Sequence, residues 1–166
     1  MPKVDFNALP DTARVWVYGA ERELGESGEK QLLSAVDSFL DQWKAHGTPL
    51  SSSRDWCEGR FLTVAVDQEQ AGASGCSIDG LFRNLKSLEG ELGAQLVPSG
   101  LVYYRARDGN VRAVSRDEFS ETAARGEIDD DTEVFDLSVT SLAEWKGRFK
   151  SKAGESWHKS LMSDHA

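Results

Sequence analysis

The stretch DQEQAGASGCSIDGLFRNL, residues 67–85, holds the residues best suited to chemistry. Small residues lead to Cys76, and an apolar periodic run follows. A cysteine just ahead of a helix lies near unpaired backbone N–H groups and the positive end of the helix dipole, which favour a thiolate. The thiolate is the nucleophile of thiol enzymes and redox sensors. Asp79, in the first turn, occupies the same dipole, and Asp67 and Glu69 add negative potential. The same residues therefore also fit a small, inert cysteine packed in a tight loop. A nucleophile needs a base, and the chain has three histidines. His46 falls at the end of a predicted helix and His165 beside the last residue, which leaves His158, in ESWHKSL, as the partner for Cys76. The competing reading is a terminal helix that packs Trp157 and Leu161 into the core.

The same loop offers a third chemistry. Backbone N–H groups around Gly72, Ser74, Gly75, Ser77 and Asp79 form a candidate cradle for a small ligand. The carboxylate of Asp79 favours an amine or a peptide backbone there over an anion. Cys57 and Cys76 flank the strand-like run 60–67. At about 3.3 Å per residue they lie ~20 Å apart, beyond the ~7 Å a disulfide spans. That separation also argues against a shared metal, and no CxxC or HxxxH spacing occurs. Asp129, Asp130 and Asp131 read as a solvated turn, because the alternating ligands and closing glutamate of a calcium loop are missing. Neither a metal nor a cofactor is expected. Among the five tryptophans, Trp16 and Trp43 have core positions on a strand and a helix face. Trp56, Trp145 and Trp157 are the candidate interaction residues, Trp56 foremost because its strand is weak.

These residues need elements to hold them. RVWVYGA, residues 14–20, reads as a strand. Leu32, Leu33, Val36, Phe39, Leu40 and Trp43 recur at three and four residues and predict a helix from Glu29 to His46, stopped by Gly47 and Pro49. TPLSSSRDWC gives a weak strand, since serines have little to bury. A turn at Glu58–Gly59 leads into RFLTVAVD, the most strand-like run and the expected central strand. Ile78, Leu81, Phe82, Leu85, Leu88 and Leu92 then mark a second amphipathic helix ending at Gly93. A strand could begin at Gln95–Pro98, and LVYYRARDGNVRAVS is a hairpin with Asp108–Gly109 at its turn. Ser115 with Glu118, and Ser141 with Glu144, are capping boxes for two further helices, SRDEFSETAARG and LAEWKGRFK. TEVFDL between them is a brief strand.

The order β, α, β, β, α, β matches the ferredoxin-like split βαβ. The expected fold is thus α+β: a ferredoxin-like core over residues 1–106 with an antiparallel sheet, extended by the hairpin and a small segment, 107–166, on the same sheet. A single domain throughout is the alternative.

VWVYGAERELG, FLDQWKAHGTPL, QAGASGCSIDGLF and the terminal ESWHKSLM together resemble an uncharacterised bacterial family whose members often carry the label "ABC transporter ATPase". The label implies a P-loop, GxxxxGK[ST], whose lysine and hydroxyl hold phosphate and magnesium. GASGCSIDG has no lysine and places Asp79 where phosphate charge would sit, so the residues exclude that ATPase chemistry. Residues 103–145 are similar to small bacterial GYF-type modules. Asp108, Gly109, Gly126, Ile128, Thr132, Val134 and Trp145 fall on the module's pattern, and Phe135–Asp136 stands where an aromatic is common. This resemblance implies a protein-interaction part with a GYF-like fold.

At 166 residues and 39% hydrophobic, the chain can bury one good core. A net charge of −9 repels nucleic-acid backbones and anionic membranes alike. The polar start MPKVDFNALPD is unlike a secretory signal, so the expected compartment is the cytoplasm with free thiols. The leading expectation is a non-catalytic interaction or regulatory module with a protein or peptide partner, monomeric or paired through a sheet edge. A Cys76 thiol enzyme or sensor, and ligand capture at residues 72–79, are its competitors.

Overall fold

A computed structural model describes residues 8–42, 44–45, 48–49, 52–67, 75–96 and 100–163, with side chains for 8–41, 52–67, 80–96 and 100–162. The chain is α+β, with two antiparallel sheets of three and four strands, a two-residue hairpin and five helices among the described residues.

The first sheet holds β1 (Arg14–Gly19), β4 (Ser52–Cys57) and β5 (Phe61–Val66), in the order β1-β5-β4. All six residues of β5 are buried, as expected of a central strand. Its even-numbered residues Leu62, Val64 and Val66 face the helices α1 (Glu26–Gln42) and α2 (Gly75–Leu92). Leu32, Val36 and Leu40 of α1 and Leu81 and Leu85 of α2 complete that core, the spacing of an amphipathic stripe. The odd-numbered residues point the other way, as the two-residue period of a strand requires.

The second sheet runs β7-β6-β8-β9, from β6 (Leu101–Arg105), β7 (Val111–Ser115), β8 (Glu133–Phe135) and β9 (Lys150–Lys152). Tyr103 and Phe135 turn toward the first sheet and meet Phe61 and Phe149 in an aromatic cluster. Val102, Tyr104 and Val134 turn outward onto Phe119 of α3 (Arg116–Ala124) and Leu161 of α5 (Lys159–Ser163). The layers are therefore helices, sheet, sheet, helices, while α4 (Leu142–Arg148) closes one side of the space between the sheets. Gly19 is where the sheets come closest. A Cβ there would stand 2.7 Å from the Tyr103 ring, whose hydroxyl donates to the Gly19 carbonyl at 2.8 Å.

This architecture corrects one expectation. The hairpin does not extend the first sheet: β6 pairs with β7 and β8 in a sheet of its own, and the segment after 106 packs on the first sheet face to face rather than as added strands. Both faces of β6 are apolar, so it needs cover on both sides, which the centre of a second sheet supplies. Beside β1, in the place of a fourth strand, the backbone of Thr140 and Leu142 exchanges hydrogen bonds with Val15 and Ala13.

Other differences are local. The first helix stops at Gln42, and β2 (Lys44–Ala45) pairs with β3 (Thr48–Pro49), because nothing after Trp43 extends the apolar stripe. The serine-rich strand forms over Ser52–Cys57, its backbone paired with β5 and Ser52 and Ser53 buried. The helix expected over LAEWKGRFK ends at Arg148, and Lys150–Lys152 forms an edge strand on β8. Both predicted caps form: Ser115 Oγ accepts from Glu118 N, and Ser141 Oγ from Glu144 N, each at 3.1 Å.

Candidate functional site

Cys76 lies inside the first turn of α2 rather than ahead of it, together with Gly75 and Ser77, and Asp79 follows in the next turn. Their side chains, and Gly72 and Ser74 entirely, lie outside the described residues, as do Trp43, His46 and His165. The layer order bears on the dyad. The helix of Cys76 covers the first sheet, whereas His158 packs on Phe119 in the layer over the second. Both sheets stand between these two layers.

His158 is fully buried. Its Nδ1 shares a 2.8 Å hydrogen bond with Ser156 Oγ, which also accepts from the His158 backbone N–H at 3.1 Å. Nε2 is enclosed without a partner. Burial pushes the imidazole down to about 4; Asp136 pulls the other way, and Arg116 adds to the drop. At neutral pH the imidazole is therefore uncharged.

What His158 supports is Trp157. The two rings stack at 4.1 Å, and the indole is 39% exposed. On that indole, the Arg116 guanidinium stands 5.3 Å from the ring centroid. A cleft of about 380 Å³ opens here, lined by Leu101, Leu137, Arg116, Arg148, Trp157 and His158 among others. Arg148 is already engaged, donating to the buried carboxylate of Asp136 at 2.6 Å and to Glu144 at 3.2 Å. Arg116 has no carboxylate partner among the described residues. It also sits in the first turn of α3, where the helix dipole disfavours a cation.

The other two interaction candidates face inward. Trp56 is half-buried against the helix-side core with its Nε1 enclosed. Trp145 stacks on Phe149 and donates to Thr63 Oγ1 at 2.9 Å, tying α4 to the first sheet. Only Trp157 of the three offers its face. Sequence reasoning did not single out Arg116 or Arg148. The one available signal was a basic residue at N1 of a capped helix, opposed to the dipole.

Cys57, at the end of β4, has its thiol pushed up to about 11 by burial, with Asp55 adding to the rise. At neutral pH it is a thiol and a poor nucleophile. In a Cys76→Ala background it is expected to resist iodoacetamide at pH 7 and to react only when the protein unfolds. Rapid labelling of the folded protein, followed by mass spectrometry, would contradict that.

Among the described residues no three His, Cys, Asp or Glu side chains gather where a metal could be held, and no helix is long and apolar enough to cross a membrane. No family model matches the chain, and no curated protein and no solved structure is found to be similar to it.

Proposed function

We propose that this protein is a non-catalytic interaction module that docks an extended peptide in the cleft beside Trp157, with a carboxylate of that peptide on Arg116. The observation that carries this reading is an exposed indole joined to a guanidinium without a carboxylate partner among the described residues, on a chain of net charge −9. Aromatic and arginine side chains together are the usual anchors of protein interfaces. Repulsion by the rest of the surface makes such a pocket selective in orientation as well as in charge.

In this reading the second sheet and α3 form a GYF-type part, and the first sheet with α1 and α2 keeps three strands of a ferredoxin-like arrangement. The Asp108–Gly109 turn, the positive φ of Gly126 and the burial of Ile128 and Val134 support the former. Where such modules carry an aromatic after the valine, Phe135 faces the inter-sheet core and Asp136 holds Arg148. Trp157, from the C-terminal segment, supplies the aromatic face instead. The protein acts in the cytoplasm, as a monomer or as a dimer paired through a sheet edge such as β4.

The test is selection from a library of displayed random peptides. Sequences with Asp, Glu or a free C-terminus beside an apolar residue are expected to be enriched. Arg116→Ala should weaken their binding about tenfold or more without moving the unfolding midpoint, and Trp157→Ala should weaken it as much while also lowering the midpoint, since the indole covers His158. If no sequence is enriched, or if the enriched peptides bind both variants as tightly as the parent, the reading falls.

A further inference from the structure

Away from this cleft, a second cavity of about 440 Å³ opens where the β4–β5 turn, the β6–β7 turn and the loop after β1 come together. It is lined by Glu23, Glu58, Arg60, Arg105, Gly109, Asn110 and Val111. The β4–β5 turn is held in an unusual conformation, with φ of 58° at Glu58 and 69° at Gly59. A non-glycine residue in that region is uncommon and is kept there only by its surroundings. Here Glu58 is clamped by Arg105 at 2.7 Å and Lys150 at 3.4 Å. Arg105 is itself used up, donating also to Glu133 and to the Gly109 carbonyl.

The turn leads through Gly59 into Arg60. Its backbone carbonyl accepts from Ala20 N, and the residue is buried, 8% exposed. Nε and Nη1 are enclosed and have no hydrogen-bond partner. The side chain lines the cavity nonetheless. A buried guanidinium without partners is costly, and burial holds Arg60 below its ordinary pKa despite the nearby Glu23. Glu23 lines the same cavity and makes no ion pair with Arg60 or with any other described residue. One cavity therefore presents a cation and an anion, neither of them in an ion pair among the described residues.

That arrangement selects its ligand by charge. A simple anion on Arg60 would face the carboxylates of Glu23 and Glu58, and a simple cation on Glu23 would face two guanidiniums. A zwitterion satisfies both. We infer that this cavity binds a small zwitterion of the α-amino acid type, its carboxylate on Arg60 and its ammonium on Glu23. The volume lies within the ~300–1,000 Å³ usual for small-molecule sites and leaves room for a side chain. This site shares no residue with the peptide cleft, so either can fail without the other.

The test is a thermal-unfolding screen of the full chain against each free L-amino acid at millimolar concentration, followed by calorimetric titration of the one that raises the midpoint most. Its N-acetyl derivative, which lacks the ammonium, and its amide, which lacks the carboxylate, should each bind about tenfold or more weakly. Glu23→Gln, an exposed position whose change leaves the fold intact, should cause a similar loss, as should Arg60→Met where circular dichroism shows it folded. The inference is overturned if no amino acid raises the midpoint, if the N-acetyl derivative binds as well as its parent, or if Glu23→Gln binds undiminished.

Discussion

Replacing Phe61 by alanine is expected to cost about 3–5 kcal/mol, a large part of the stability of a domain this size. Phe61 is fully buried at the start of β5, on the face turned toward the second sheet. Its ring lies 4.7 Å from Phe135, 5.0 Å from Tyr103 and 5.5 Å from Phe149, partners from β8, β6 and the joint between α4 and β9. Truncation would therefore leave a cavity that no single neighbour can fill, since Tyr103 is pinned by its hydrogen bond to Gly19 and Phe149 by Trp145. Phe61→Leu, which keeps most of the volume, should cost much less, about 1–2 kcal/mol. Urea unfolding followed by far-ultraviolet circular dichroism and by tryptophan fluorescence measures both. A single shared transition, shifted to lower urea, is the expected result, because this cluster joins the two sheets into one cooperative unit. A cost for Phe61→Ala below about 1 kcal/mol, or two separate transitions in the parent protein, would show that the sheets do not depend on each other through Phe61.

The elements around that cluster were legible wherever a local signal decided them. The stripe Leu32, Val36, Leu40 and the stripe Leu81, Leu85 are periodic within a few residues, and the all-buried β5 reads as a run of β-branched and aromatic side chains. Ser115 and Ser141 announce their helices through a hydrogen bond only three residues long. What was not legible is pairing between distant segments. Nothing in LVYYR states that it joins Phe135 rather than β1, because either neighbour would cover one apolar face; the choice rests on which arrangement covers both. The strands Ser52–Cys57 and Lys150–Lys152 are rich in polar residues and exist because β5 and β8 offer them a ladder. The candidate sites follow the same division. Cys76 drew attention by its neighbours in sequence. Arg116 over Trp157, and Arg60 beside Glu23, are juxtapositions of residues far apart in the chain or unmarked in it. Isolated arginines carry no periodicity to betray them.

The largest pH effect should come from His158. Its imidazole titrates at about 4 in the folded protein against an ordinary 6.5, chiefly because burial disfavours the charged ring. Between those values the unfolded chain binds a proton that the folded protein refuses. Stability therefore rises with pH across this window and is lost as pH falls from about 6.5 to about 4. At about 1.4 kcal/mol per unit the loss reaches about 3 kcal/mol, and it levels off below pH 4, where both states are protonated. Carboxylates such as Glu58, held low chiefly by Arg105 against the opposing effect of burial, add their own loss as pH falls further. The histidine must accordingly be read by difference. His158→Gln lowers stability at neutral pH by removing a ring stacked between Trp157 and Phe119, but it cannot titrate. Its deficit relative to the parent should shrink by about 3 kcal/mol between pH 7 and pH 4. The ring protons of His158 should likewise hold their neutral chemical shift down to near pH 4. A midpoint near 6.5, or a deficit independent of pH, would mean that the ring is not enclosed as described. The consequence for recognition follows from the stacking. Protonation would place a second cation against Arg116 beneath the indole, so Trp157 should lose its support, and the cleft its peptide, over the same acid range in which His158 charges.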